Sequence, residues 1–85
     1  MNKHTNVLQE ARDLYRGACA FLQITYRQKD FAQVCELSPF KLSRLLSHGY
    51  TDAQLLERLN WFEGEKLFEV SLCLHKRDYS AIGLV

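Results

Sequence analysis

In the stretch Gln28 to Ser47, QKDFAQVCELSPFKLSRLLS, a Ser-Pro pair divides two runs of apolar residues spaced by three and four. Proline opens helices well and cannot continue one, and a serine just before it can accept a bond from a free backbone N–H of the new helix. One short helix must therefore end before Ser38 and another must begin at Pro39. The second runs to about Ser47 and stops at His48-Gly49, where glycine can take the left-handed conformation that ends helices. Phe31, Ala32 and Cys35 fall on the inner side of the first helix, Leu37 plugs the turn, and Leu42 and Leu45 face inward from the second. This register is that of a helix-turn-helix, with Phe40, Lys41, Ser43, Arg44 and Ser47 left outside. Asp30 reads as the N-cap of the first helix, which runs to about Cys35.

The flanking sequence supplies the rest of a bundle. From Thr5 to Tyr26, Val7, Leu8, Ala11, Leu14, Tyr15, Ala18, Phe21, Leu22 and Thr25 recur at helical intervals, which predicts one long amphipathic helix capped by Thr5 or Asn6. Gly17 inside it is expected to mark close packing against another helix. Thr51 or Asp52 caps a further helix with an inner stripe of Leu55, Leu56, Leu59 and Phe62, Trp61 on its flank and Gly64 closing it. Residues 65 to 76 fit both a helical and a strand period. Helix is the better reading, because Val70 is the one β-branched residue there and no second strand offers itself as a partner. The expectation is an all-α, compact four- or five-helix bundle containing a helix-turn-helix, folded as a single domain over residues 1–85.

A core of this size is marginal, so a second stabilising device is expected. The apolar surplus at the end of the chain, Leu67, Phe68, Val70, Leu72, Leu74, Tyr79, Ile82, Leu84 and Val85, suggests one. Residues 65–85 read as an oligomerisation segment in a homodimer or tetramer, with Phe68, Leu72, Ile82 and Leu84 as the contacts. Cys19, Cys35 and Cys73 are odd in number, widely spaced and set among apolar residues, which suits inert thiols in a reducing cytoplasm better than a disulfide framework. No apolar run approaches the ~20 residues that span a bilayer, so no membrane partner is expected. His4, His48 and His75 form no ligand spacing with the cysteines, and neither a metal nor a cofactor is expected. Glu63 and Glu65 flank Gly64 at a helix boundary and read as solvated charges. With no phosphate-binding glycine loop and no nucleophile motif, the chain does not read as an enzyme.

Net charge is only +1, but its distribution is uneven. Arg27, Lys29, Lys41 and Arg44 face only Asp30 and Glu36 between residues 26 and 48, so the helix after Pro39 carries cations and no carboxylate. Between residues 51 and 70, Asp52, Glu57, Glu63, Glu65 and Glu69 outnumber Arg58 and Lys66, which predicts opposite potentials at the two ends of the fold. A surface helix with two cations, several hydroxyls and no acid suits the major groove of DNA.

The span from about Phe21 to Phe62, roughly half the chain, resembles the lambda-repressor-like, or XRE-type, family of DNA-binding domains. The resemblance rests on the small Ala32 where the two helices touch, on Phe31, Cys35, Leu37, Leu42 and Leu45, on SPFKLSRLL, and on the following loop and LLERLNWF. The chain length and the tryptophan in LLERLNWF are also similar to the tetrameric phage CII-type activators. Glu36 departs from the pattern, standing in the turn where the family usually has glycine, at a cost on the order of 1 kcal/mol if it is left-handed.

The resemblance implies a sequence-specific transcriptional regulator whose recognition helix, about residues 39–47, enters the major groove of a double-stranded DNA operator. Ser38, Phe40, Ser43, Arg44 and Ser47 would then lie nearest the base edges, and Lys41 near backbone or bases. Arg44 could fork onto a guanine and Phe40 touch a thymine methyl, while Gln28, Lys29 and Arg27 meet phosphate. RNA polymerase is a conceivable protein partner. The rival expectation, motivated by the near-neutral charge and Glu36, is a helical protein-interaction module, an anti-repressor or adaptor without DNA affinity.

Overall fold

Helix α1 spans Val7–Leu22 and starts on a side chain that does two jobs. Asn6, only 2% exposed, accepts from Gln9 N–H (2.9 Å) and donates through Nδ2 to the Tyr50 carbonyl (2.9 Å). Val7 N–H donates to Asp52 Oδ1 (2.7 Å), and Gln9 Nε2 donates to the Leu46 carbonyl (3.2 Å), so the first turn of α1 is fastened to the corner that follows residue 46. The computed structural model describes residues 6–85; Thr5, the alternative cap, and His4 lie outside them.

Four further helices follow: α2 (Gln28–Val34), α3 (Pro39–Ser47), α4 (Asp52–Arg58) and α5 (Trp61–His75), with a 3₁₀ turn over Tyr79–Ile82. No strand occurs among the described residues, and the ambiguous run after Glu65 is helical. The fold is all-α. One core joins every element, with Phe31 at 0% exposure against Tyr15 (ring centroids 5.2 Å apart), and with Leu8, Leu42, Leu55, Leu67 and Val70 sealed around it. The two long helices, α1 and α5, pack on one another, α2 packs on α3, and the buried residues of all five helices form one cluster. Leu37 closes the turn between α2 and α3, as its position implied.

Several boundaries differ from expectation, and the reasons are local. Helix α1 stops at Leu22 and not at Tyr26, because Gln23 turns left-handed (φ 58°), with Ile24 N–H bonding to Cys19 O and Gln23 N–H to Ala20 O. Phe21, inside α1 but off the stripe of Leu8, Ala11, Tyr15, Ala18 and Cys19, is exposed, and Tyr26 turns back onto Tyr15. Asp30 is not a cap: α2 begins at Gln28, and Asp30 is its third residue, ion-paired with Arg27 (3.3 Å). Helix α4 ends at Arg58 on an extended Leu59, since Asn60 and Glu63 form a reciprocal capping box that starts a new helix at Trp61. Phe62 and Leu56 are therefore exposed, and Gly64 sits inside α5.

Glu36 does adopt the left-handed conformation (φ 57°), with Glu36 N–H bonding to Gln33 O and Leu37 N–H to Ala32 O. Arg77 ends α5 in the same way (φ 59°). These are Schellman-type stops made without glycine. Gly49 (φ 64°) follows α3, as expected.

Gly17 does not mark a close approach. It is exposed, and a Cβ there would meet nothing within 4 Å. Gly17→Ala should therefore raise stability by roughly 0.5–1 kcal/mol through the lower cost of ordering the helix. Glu36→Gly should gain ~1 kcal/mol from the relieved backbone, less the few tenths contributed by its exposed contact with Lys66. Urea midpoints read both; a lower midpoint for Gly17→Ala would mean that this face of α1 is packed.

Candidate nucleic-acid interface

The exposed side of α3 is set by Ser38 and by two leucines. Ser38 Oγ accepts from Lys41 N–H (3.1 Å), which fixes the start of the helix. Burial of Leu42 and Leu45 then turns Phe40, Ser43, Arg44 and Ser47 together to solvent. Phe40 is 72% exposed, and the Arg44 guanidinium lies over its ring (5.8 Å to the centroid). Ser47 Oγ donates to the Arg44 carbonyl (3.1 Å), and so does His48 Nδ1 (2.7 Å), which occupies both hydroxyl and imidazole in closing the helix.

Lys41 stands differently from the rest. Its ammonium donates to both oxygens of Glu63 (2.7 and 2.9 Å), the residue that also completes the capping box of α5 through Asn60 N–H (2.9 Å). The positive helix thus receives a carboxylate from the acidic segment, and the expected separation of charge between residues 26–48 and 51–70 breaks at this contact. Burial pushes the Glu63 carboxyl up, but the hydrogen bonds from Lys41 and Asn60 N–H and the Lys41 charge outweigh it and hold the group below its ordinary 4.5.

Two residues that were not singled out on sequence, Tyr50 and Arg58, join the face. Tyr50 stacks in parallel on His48 (5.1 Å, 4°) and is covered on its ring by the Arg58 guanidinium (4.6 Å). Tyr50 and Arg58 line one shallow cleft of about 290 Å³ with Phe40, Lys41, Arg44 and Leu45. The cleft therefore carries Arg44 and Arg58 on its rim. An arginine at the end of a helix in an acidic stretch gives no sequence signal of this kind; only the α3–α4 corner brings it here. At the other end of α3, Arg27, Lys29, Asp30, Gln33, Leu37 and Pro39 line a second groove, which links the start of α2 to the start of the exposed helix and carries one carboxylate between its two cations. Lys29 is exposed and Gln28 half-buried.

Comparison with protein-family models, with curated proteins and with solved structures finds no match.

The expected oligomerisation residues divide into two kinds. Phe68 and Leu72 are exposed on α5, whereas Ile82 and Leu84 are half-buried against the core of their own chain and line a depression with Tyr15, Ile24 and Lys66. The thiols of Cys19 and Cys35 are buried, and burial, against a smaller opposing effect of Lys66, pushes Cys35 up to about 12, which keeps it protonated and unreactive. No helix among the described residues is long and apolar enough to cross a membrane.

Because the Glu63 carboxyl is held below its ordinary value, its contribution to stability is complete above pH 4.5 and is lost as the pH falls through the folded-state value. Glu63→Gln keeps an acceptor for Asn60 N–H and removes the charge facing Lys41. The wild-type melting temperature should exceed that of Glu63→Gln at pH 7, and the gap should close on acidification below 4.5. A gap that persists unchanged in acid would mean that the Lys41–Glu63 charge pair contributes nothing.

Proposed function

We propose that this chain is a sequence-specific DNA-binding transcriptional regulator that reads an operator with α3 and acts as a homo-oligomer. The observation that carries the proposal is the exposed side of α3: Phe40, Ser43, Arg44 and Ser47 share one solvent face, no carboxylate occurs in α3 itself, and Leu42 and Leu45 hold the register from within. The resemblance of the α2–α3 pair to lambda-repressor-like domains, with a left-handed Glu36 at the turn where those domains usually have glycine, supports the same reading.

In this reading Arg44 is the base-reading cation, since a guanidinium can fork onto guanine with a discrimination of about 1–3 kcal/mol, and Phe40 offers a face to a thymine methyl. Lys29 and Arg58 serve the phosphates on either side, and Lys41 orients α3 through Glu63 more than it contacts DNA. Two copies would offset the modest charge of one.

A second reading is favoured by one specific arrangement. Phe40, Trp61 and Phe62 are each at least 70% exposed, and the Lys41–Glu63 bond ties the start of α3 to the start of α5, where Trp61 and Phe62 lie edge to face. Exposed aromatics beside arginine are the composition of protein-protein hot spots, so a module that docks a larger regulator would use the same face.

Selection from a randomised pool of duplexes, followed by fluorescence anisotropy at low salt, decides between them. DNA binding predicts a selected sequence, a loss of roughly tenfold or more on Arg44→Ala, and a uniform weakening with a salt slope flatter by about 1 on Lys29→Ala. Absence of any bound duplex at low salt, or indifference to Arg44→Ala, sinks the proposal. Phe40→Asp combined with Lys41→Glu should then abolish binding of a protein partner.

A further inference from the structure

Arg44 and Arg58 rest on aromatic shelves beside one cleft. The Arg44 guanidinium lies over Phe40 (5.8 Å to the centroid) and that of Arg58 over Tyr50 (4.6 Å), and both residues line the cleft of about 290 Å³ between α3 and the end of α4. Arg12, Arg27 and Lys66 each have a carboxylate partner, but neither Arg44 nor Arg58 has one among the described residues. No carboxylate among the described residues lines the cleft either: Leu45 is sealed in the core, Lys41 is spent on Glu63, and Phe40 is exposed.

The shelf under Arg58 is fixed by the fold itself. Tyr50 stacks on His48 (5.1 Å, 4°), and its carbonyl accepts from the buried Asn6 Nδ2 (2.9 Å). A guanidinium resting on a ring spends no N–H donor there and has less rotamer freedom to lose when an anion binds. Two such forks select among anions by charge and by oxygen count. A carboxylate, with two oxygens and a single charge, satisfies one fork. A phosphate monoester presents three oxygens and a charge of about −2 at neutral pH, which suits both. The cleft is at the lower end of ligand-sized clefts, on the order of 300 Å³, so it admits a phosphate with one ring attached, and Phe40 offers that ring an aromatic face.

We propose that this cleft binds the phosphoryl group of a small phosphate ester, with Arg44 and Arg58 as its two forks, Tyr50 as the residue that positions Arg58, and Phe40 against the ester's ring. The site itself stands without the operator reading. Its consequence rests on that reading: an Arg44 engaged by phosphate cannot fork onto guanine, so the ester competes with base recognition.

Arginine Nε–H signals of the full chain, followed by nitrogen-15 NMR at constant ionic strength without DNA, test the site with inorganic phosphate, adenosine monophosphate and adenosine as probes. Inorganic phosphate should shift the Arg44 and Arg58 signals together, with one dissociation constant on the order of 1 mM. Arg16, which rests on Tyr26 (5.6 Å) and does not line the cleft, should stay still. Adenosine monophosphate should bind about fivefold or more tightly than phosphate, an advantage that Phe40→Ala removes, and adenosine should leave Arg58 unmoved. Arg58→Lys and Tyr50→Leu should each weaken binding by about tenfold with unchanged helical circular dichroism, while Arg16→Gln, which also removes one charge, should change nothing. Different constants at Arg44 and Arg58, an Arg16 that follows them, or no saturation at about fifty times the expected constant overturns the proposal. So does binding indifferent to Arg58→Gln, a change on the surface that leaves the core untouched.

Duplexes added to the saturated complex separate the sources of the phosphoryl group. Displacement of the ester by a duplex of arbitrary sequence assigns the cleft to backbone phosphate as well, whereas displacement by the selected operator alone assigns it to the free ester competing for Arg44. An operator that binds without displacing the ester overturns the competition. If no duplex binds, the operator reading fails, and the phosphate titration still decides the site.

Discussion

Short helices in water do not stand alone, and that constraint governs this molecule. α2 and α4 have seven residues and α3 has nine, each well below the ~12–15 at which an isolated helix becomes even marginal. Their existence depends on burial of one face each in the core that all five helices share. Phe31, Leu42 and Leu55, all at 0% exposure, are the residues through which each short helix is held. The exposed side of α3 is therefore a consequence of core packing: what α3 offers to solvent is fixed by the burial of Leu42 and Leu45.

The same dependence explains how much could be read from the sequence. Positions that are buried because of period and size, such as Phe31, Ala32, Cys35, Leu37, Leu42 and Leu45, were legible from spacing alone. Ser38 before Pro39 and Thr51 before Asp52 announced their helix starts, because a hydroxyl cap carries a local chemical signature. Helix ends were harder. Gln23, Glu36 and Arg77 each take the left-handed conformation that glycine usually marks, so α1 looked longer in sequence than it is. Asn60 and Glu63 do form a readable N-x-x-E capping signal. It was masked by the apolar run LLERLNWF, whose spacing continues smoothly through a break that the backbone makes at Leu59.

The candidate interface divides along the same line. Phe40, Ser43, Arg44 and Ser47 were placed correctly on the outside because their position depends on helical period. Lys41 was not, and Tyr50 and Arg58 went unnoticed, because their surroundings depend on contacts between segments far apart in sequence. Glu63 reaches Lys41 across 22 residues, and a linear count of charge cannot see such a pairing. Its effect is to lower the local charge of α3 while fastening α3 to α5, so stiffness of the presented helix is gained where electrostatic reach is reduced.

The polar fastening at the start of α1 bears on the order in which the chain assembles. Asn6 and Val7 bond to Tyr50 and Asp52, across 44 and 45 residues. A link of that span cannot form until the intervening helices have brought the corner after α3 back to the beginning of the chain, and the loop-closure entropy must be met before the bonds return anything. The middle of α1, with Ala11, Tyr15 and Ala18, can dock through apolar contact at an earlier stage. Residues 6 to 9 thus act as a clasp, polar at Asn6, at the Val7 N–H and at Gln9 and sealed by the buried Leu8, that closes on an already assembled bundle.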